Sequence, residues 1–241
     1  GMHRLSVREF LVGQGLGGLV SMLEQYPDGK LLLASGVDLS NPHGVLDVVR
    51  NFFTNRADSI IRAADTAVQR LVQQPSYAAY KELKDLLGSL EQMARQGLLG
   101  PEGLAYLRMA RAWAEEAMRN VKEVPVGILK DGKIQTVLMS PAEAEKHIAA
   151  ATNRIVPRLE AVAIALASSE DPVERRQLLQ LKESLIREGL AFGIPAPALF
   201  AAYYGAALRQ NKLHDLQIRE KELELARLRE AIATLQAQRE A

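Results

Sequence analysis

The chain has no cysteine among its 241 residues. Disulfides, thiolate zinc sites, cysteine-ligated iron–sulfur clusters and a cysteine nucleophile are therefore excluded. The four histidines are scattered, with no spacing typical of a metal site. No apolar run reaches the length of a transmembrane helix. We therefore predict a protein with no metal, no cofactor and no membrane partner.

The sequence also lacks a strong charge of either sign. Lys and Arg total 30 against 29 for Asp and Glu, so attraction to nucleic acid or to an anionic membrane would have to come from a local patch. The apolar share of 48% with 24% charged residues is typical of a folded globular protein. Arg8 and Glu9 interrupt the first apolar stretch, so no secretory signal is predicted, and we expect a cytoplasmic protein.

Residue patterns that carry catalysis are missing as well. No spacing suggests a serine triad, the H-E-x-x-H helix of metalloproteases or the E-x-x-H pairs of di-iron bundles. The sequence therefore predicts that the protein is not an enzyme, and it identifies no small-molecule substrate.

One glycine pattern could bind a nucleotide. Gly13, Gly15 and Gly18 satisfy G-x-G-x-x-G, and the surrounding stretch resembles the opening of a dinucleotide-binding flavoprotein or dehydrogenase. Arg8 and Glu9, however, stand where a buried first strand needs apolar residues, and no strand–helix alternation follows. A glycine-broken helix is the favoured interpretation, and a nucleotide-dependent enzyme ranks third among the functions considered.

Start and stop signals divide the rest of the chain into helices. Apolar residues recur at helical spacing from Pro42 to the break at Pro75, Ser76 caps a second helix, and Pro101 opens a third. For residues 1–41, a glycine-rich segment, the sequence does not decide between strand, helix and ligand-binding loop. We predict a helical bundle at 42–122, a β-hairpin at 123–140, a continued bundle at 141–205 and a C-terminal amphipathic helix at 206–241.

The only strong β signal lies between Val124 and Met139. Two apolar runs flank Asp131 and Gly132, the dipeptide that favours the type I′ turn of a two-residue hairpin. A lone hairpin is marginal in water, so this one should dock on helices or pair with another hairpin.

The stretch from Ala206 to Ala241 has no Gly or Pro and is rich in Leu, Glu, Arg and Gln, which predicts one uninterrupted helix. A second leucine stripe, formed by Leu213, Leu216 and Leu223, is displaced around this helix. Either the heptad register shifts by a stutter near residue 220, or the first half of the helix packs on its own domain and only the second half meets another chain. A clean 3-4 apolar spacing runs through the second half and is typical of a coiled-coil seam. The candidate oligomerisation residues are Ile218, Leu225, Leu228, Ile232 and Leu235.

A DNA-binding alternative comes from residues 76–139. Two helices around a glycine turn, followed by the hairpin, have the order of a helix-turn-helix with a wing. Basic side chains along the second helix and at the hairpin tip would contact the phosphates of double-stranded DNA. The candidate contacts are Arg108, Arg111, Arg119, Lys130 and Lys133.

The sequence as a whole predicts a mainly α protein, a multi-helix bundle with one inserted β-hairpin and a projecting C-terminal coiled-coil-like helix. The leading functional hypothesis is a non-enzymatic assembly or adaptor protein that acts as a homo-oligomer, with a dimer as the first expectation. A dimeric DNA-binding regulator is the alternative.

Overall fold

The mainly α prediction is confirmed in the computed structural model, which describes residues 4–240. This part of the chain forms ten helices and one two-stranded antiparallel sheet. The chain divides into two compact units, residues 1–148 and residues 149–241. In chain order the elements are α1 (Val7–Gly13), α2 (Gly17–Leu23), α3 (Pro27–Ala34), α4 (Gly44–Gln73), α5 (Tyr77–Arg95), α6 (Pro101–Met118), β1 (Val124–Lys130), β2 (Lys133–Met139), α7 (Pro141–Ser168), α8 (Pro172–Ala191), α9 (Ala196–Arg209) and α10 (Leu213–Glu240).

Three short helices fill the segment that the sequence left open. The Ser6 hydroxyl accepts from the Glu9 backbone N–H and the Glu9 carboxylate accepts from the Ser6 backbone N–H, so a capping box starts α1. Gly15, with a φ of 75°, separates α1 from α2. Because the residues before Gly13 are helical, the strand that a dinucleotide-binding motif needs is not formed, and the glycine-broken helix is confirmed.

Helices α4, α5 and α6 form an up-down-up bundle in the first unit. The Ser76 hydroxyl caps α5 by accepting from the Ala79 backbone N–H, and Gly97 takes the positive φ of 69° that ends it. The Tyr106 hydroxyl donates to Asp65 at 3.0 Å and so ties α6 to α4. The shared core includes Phe53, Leu71, Leu83, Leu90 and Ala110.

The hairpin forms as predicted, with Lys130 paired to Lys133 across the turn. Asp131 and Gly132 have φ values of 52° and 76°, which fits a type I′ turn with two positive-φ residues. Val124 and Val126 of β1 are buried. His147 on α7 makes a 2.7 Å hydrogen bond from its Nε2 to the Gly127 carbonyl oxygen.

Replacing His147 with Ala is expected to loosen the hairpin. The Gly127 carbonyl oxygen is on a buried residue and would lose this partner, which costs about 1–2 kcal/mol of the free energy of unfolding. Urea unfolding measures the loss. The exposed neighbour Lys146→Ala is the control and should change the midpoint little; equal midpoints for both variants would contradict a docking role for the imidazole.

The second unit holds α8, α9, α10 and most of α7. The prediction of one uninterrupted helix from Ala206 onward is wrong, because α9 ends at Arg209 and α10 begins at Leu213. Asn211 takes a left-handed φ of 57°, and the Lys212 backbone N–H donates to the Ala207 carbonyl at 2.7 Å. A positive-φ residue with such a bond closes a helix end, and Asn tolerates that conformation better than most residues.

Candidate oligomerisation surface

The inner face of α10 packs on its own unit, against α8 and α9. Leu216 and Leu223, one heptad apart, are the buried residues of this face. The ion pairs that join α10 to α8 are Arg175–Glu222 at 3.3 Å, Arg176–Glu230 at 2.7 Å, Lys182–Glu220 at 3.0 Å and Glu183–Arg227 at 3.0 Å. These pairs join both ends of the α8 contact to the stretch of α10 from Glu220 to Glu230.

A polar cluster at the start of this contact was not predicted from the sequence. The Glu220 carboxylate accepts from Lys182 Nζ and from the Tyr204 hydroxyl, both at 3.0 Å. The Lys182 ammonium also lies 4.4 Å from the ring centre of the buried Tyr203. Burial first, and then the charge of Glu220, raise the pKa of Tyr204 to about 12. The cluster holds α8, α9 and α10 together at one point.

The outer face of α10 carries the five residues predicted to form a coiled-coil seam. Leu225 follows Leu223 by two positions, which places it about 200° further around the helix. We call the five the outer seam; their exposed fractions are 38% for Ile218, 53% for Leu225, 53% for Leu228, 52% for Ile232 and 62% for Leu235. The structure thus leaves the outer seam open to solvent. In the second stripe Leu216 and Leu223 are buried and Leu213 is half-buried, which favours packing on the same domain over a register stutter.

The last turns of α10 have no packing of their own. Every residue from 231 to 240 is exposed, although the helix continues to Glu240. The whole helix has 28 residues and spans about 42 Å. Isolated helical segments shorter than about 12–15 residues are marginal in water. A partner that covers the outer seam would stabilise these turns.

The candidate DNA contacts are dispersed over α6 and the hairpin. Arg111 is bound to Glu91 of α5, and Arg119, just after α6, pairs with Glu116 at 2.8 Å. Helix α6 is itself part of the three-helix bundle, with Leu107, Ala110 and Ala114 buried. The remaining candidates are all exposed: Arg108, Lys130 and Lys133.

An apolar groove between α4 and α6 is a further surface that the sequence did not predict. It has a volume of about 470 Å³, and the half-exposed Trp113 and the exposed Val72 face it. Nothing in the described part of the chain shows what covers this groove.

Within residues 4–240, no helix combines the length and the hydropathy needed to cross a bilayer. No group of three or more His, Asp or Glu side chains in that range is placed to hold a metal ion. No protein-family model, curated protein or solved structure matches the chain.

Proposed function

We propose that the protein is a non-enzymatic helical assembly protein whose working form is a homo-oligomer joined through the outer seam of α10. The observation that carries this proposal is the two-sided character of the helix. Its inner face is occupied by α8 and α9, and five large apolar side chains on the opposite face have no cover. Scattered apolar residues on a surface are ordinary, but an ordered stripe at heptad spacing is typical of a helix that meets another helix.

The size of the surface predicts a modest affinity. Covering the remaining exposed area of a Leu or Ile that is half exposed contributes about 1 kcal/mol. Two copies would cover ten such side chains, which gives about 10 kcal/mol of gross stabilisation. The loss of rotational and translational freedom opposes this by an amount that is itself estimated at about 4–15 kcal/mol. We therefore expect a dimer that dissociates on dilution.

The double substitution Leu228→Glu with Ile232→Glu is expected to convert the protein to a monomer. Both positions are about half exposed, so two carboxylates there leave the packing of the single chain unchanged but would be buried in the interface. Light scattering coupled to gel filtration, over a hundredfold range of protein concentration, measures the mass. The mass should fall to that of one chain.

A matched control uses the same helix and the same change in charge. Ala233 and Ala237 are exposed and lie away from the outer seam, so Ala233→Glu with Ala237→Glu should leave the mass unchanged. If the unaltered protein has the mass of one chain at every concentration, the proposed function is wrong. If it is an oligomer that the seam variant leaves intact, the interface lies elsewhere.

DNA binding through α6 and the hairpin stays a prediction. Two of its five basic side chains are neutralised by carboxylates of the same unit, Arg111 by Glu91 and Arg119 by Glu116. The exposed Lys130 and Lys133 at the hairpin tip are its remaining support.

A further inference from the structure

The packing of α10 assigns its heptad positions. If Ile218, Leu225 and Ile232 occupy the a positions, Leu228 and Leu235 fall at d. The buried Leu216 and Leu223 then fall at f, the position furthest from the seam. Positions a, d, e and g are the ones that a two-stranded coiled coil uses. The single chain therefore covers the face that such a coil does not need.

Charged side chains of α10 differ in whether they have an ion-pair partner within the chain. Those turned toward α8, such as Glu220, Arg227 and Glu230, have partners within the chain. In the part of the chain that the structure describes, Glu224 at g and Arg229 at e form no ion pair. Both flank the outer seam.

We propose that two copies of the chain pair through α10 as a parallel, in-register, two-stranded coiled coil, in which Glu224 of each copy forms an ion pair with Arg229 of the other. This inference rests on the proposed function. In a parallel coil a g residue meets the e residue five positions later in the second helix, and position 229 is five residues after position 224. The two-fold symmetry gives this pair twice.

The core residues favour the same arrangement. Ile at a with Leu at d is the combination that favours parallel two-stranded coils. Two of the three a positions hold Ile, at 218 and 232, and Leu228 and Leu235 hold the d positions from residue 225 onward. The full stretch from Leu225 to Leu235 is apolar at every a and d position.

Lys221 interrupts the outer seam. It occupies the d position between Ile218 and Leu225 and is exposed. In a parallel coil the two Lys221 side chains would approach each other. A single polar residue in the core of a coiled coil lowers its stability and helps to fix the register of the two helices.

An antiparallel coil fits the charges less well. If Ile218 of one copy is aligned with Leu235 of the other in an antiparallel coil, Arg229 of the first copy comes near Glu222 of the second. Within its own chain the Glu222 carboxylate is already bound to Arg175 and Arg219. Glu224 would then face Ala231 and stay unpaired. The parallel coil gives a partner to both Glu224 and Arg229, and the antiparallel coil gives one only to Arg229.

A charge exchange tests the ion pair. Glu224→Lys places a lysine against Arg229 twice in each dimer, and we expect the dissociation constant to rise about tenfold. Adding Arg229→Glu restores attraction with reversed signs and should return the constant to within about threefold of the original. The control is Glu240→Lys, the same charge change beyond the seam, which should have little effect. Weakening without recovery in the double variant would overturn the proposed pair.

An engineered disulfide tests direction independently. Because the chain has no cysteine, Leu235→Cys supplies the only thiol. A parallel coil places the two copies of position 235 side by side, whereas the antiparallel alignment separates them by about 25 Å along the axis. We expect a cross-linked dimer under mild oxidation, and no cross-link from the control Ala237→Cys at the f position.

The outcomes separate this inference from the function on which it rests. A dimer by mass that cross-links through residue 235 supports both. A dimer by mass that does not cross-link there overturns the parallel arrangement and leaves the homo-oligomer standing. A protein with the mass of one chain at every concentration overturns both.

Discussion

Adding one methyl group at position 29, by Gly29→Ala, is expected to lower the free energy of unfolding of the first unit by about 3–5 kcal/mol. Gly29 is buried in the first turn of α3, against the end of α2. A Cβ there would overlap the carbonyl oxygen of Leu23 and lie 2.9 Å from its carbonyl carbon and 3.1 Å from its Cα. All three are backbone atoms, so no side chain can rotate away, and one of the two helices must shift.

A second glycine supplies the control. Gly88 is exposed in the middle of α5, and a Cβ there would meet no atom within 4 Å. Gly88→Ala should raise the free energy of unfolding by about 0.5–1 kcal/mol, since Ala loses less backbone entropy than Gly in a helix. Urea unfolding followed by circular dichroism measures both variants. If Gly29→Ala unfolds at the midpoint of the unaltered protein, the close approach of α2 and α3 is wrong.

The sequence signal around Gly29 shows why the N-terminal helices were harder to predict than the later ones. The residues Tyr26, Pro27, Asp28 and Gly29 have the composition typical of a turn, but Pro27 is the first residue of α3. The two interpretations are physically close, because the central residues of a type I turn have nearly helical dihedral angles. Only packing on α2, which is a tertiary effect, decides that the helix continues.

The boundary between α9 and α10 was missed for a related reason. Uninterrupted helix was predicted because the segment contains no Gly or Pro. Asn211 closes α9 in the left-handed conformation instead. The break matters for the oligomerisation surface, because it lets α10 begin with its own direction and lay Leu216 and Leu223 against α8 and α9.

The heptad spacing itself was sufficient to predict the outer seam, because a period of 3.5 is a local property of the sequence. The sequence also separated the two leucine stripes of α10. It could not show what fixes the inner stripe, since Lys182 and Glu220 are 38 residues apart and nothing local connects them. Their pairing follows only from the packing of α10 against α8.

Removing this carboxylate by Glu220→Ala is expected to lower the free energy of unfolding of the second unit by about 3 kcal/mol. The side chain of Lys182 is only 12% exposed and would lose its counter-ion over the ring of Tyr203. The Tyr204 hydroxyl would lose its acceptor at the same time. The control is Glu183→Ala, which breaks the exposed pair with Arg227 between the same two helices and should cost less than about 1 kcal/mol.

Alkaline titration gives the same cluster a second readout. The fold raises the pKa of Tyr204 from its ordinary value of 10.0 to about 12, so it favours the neutral phenol. Its contribution to stability is therefore complete below pH 10 and is lost as the pH rises from 10 to 12. In Glu220→Ala the repulsion from the carboxylate is gone, and the tyrosinate absorbance assigned to Tyr204 should appear at a lower pH.

A double substitution separates the charge from the packing in this cluster. Lys182→Met with Glu220→Leu replaces the ion pair with apolar side chains of similar size, and we expect it to recover all but about 1 kcal/mol of the loss. The variants must be compared at one protein concentration, because unfolding of an oligomer depends on it. If Glu220→Ala and Glu183→Ala lower the free energy of unfolding by the same amount, the ion pair of Lys182 and Glu220 contributes no more than an exposed pair does. The inner face of α10 would then be held mainly by Leu216 and Leu223, and the orientation of the outer seam would depend chiefly on those two leucines.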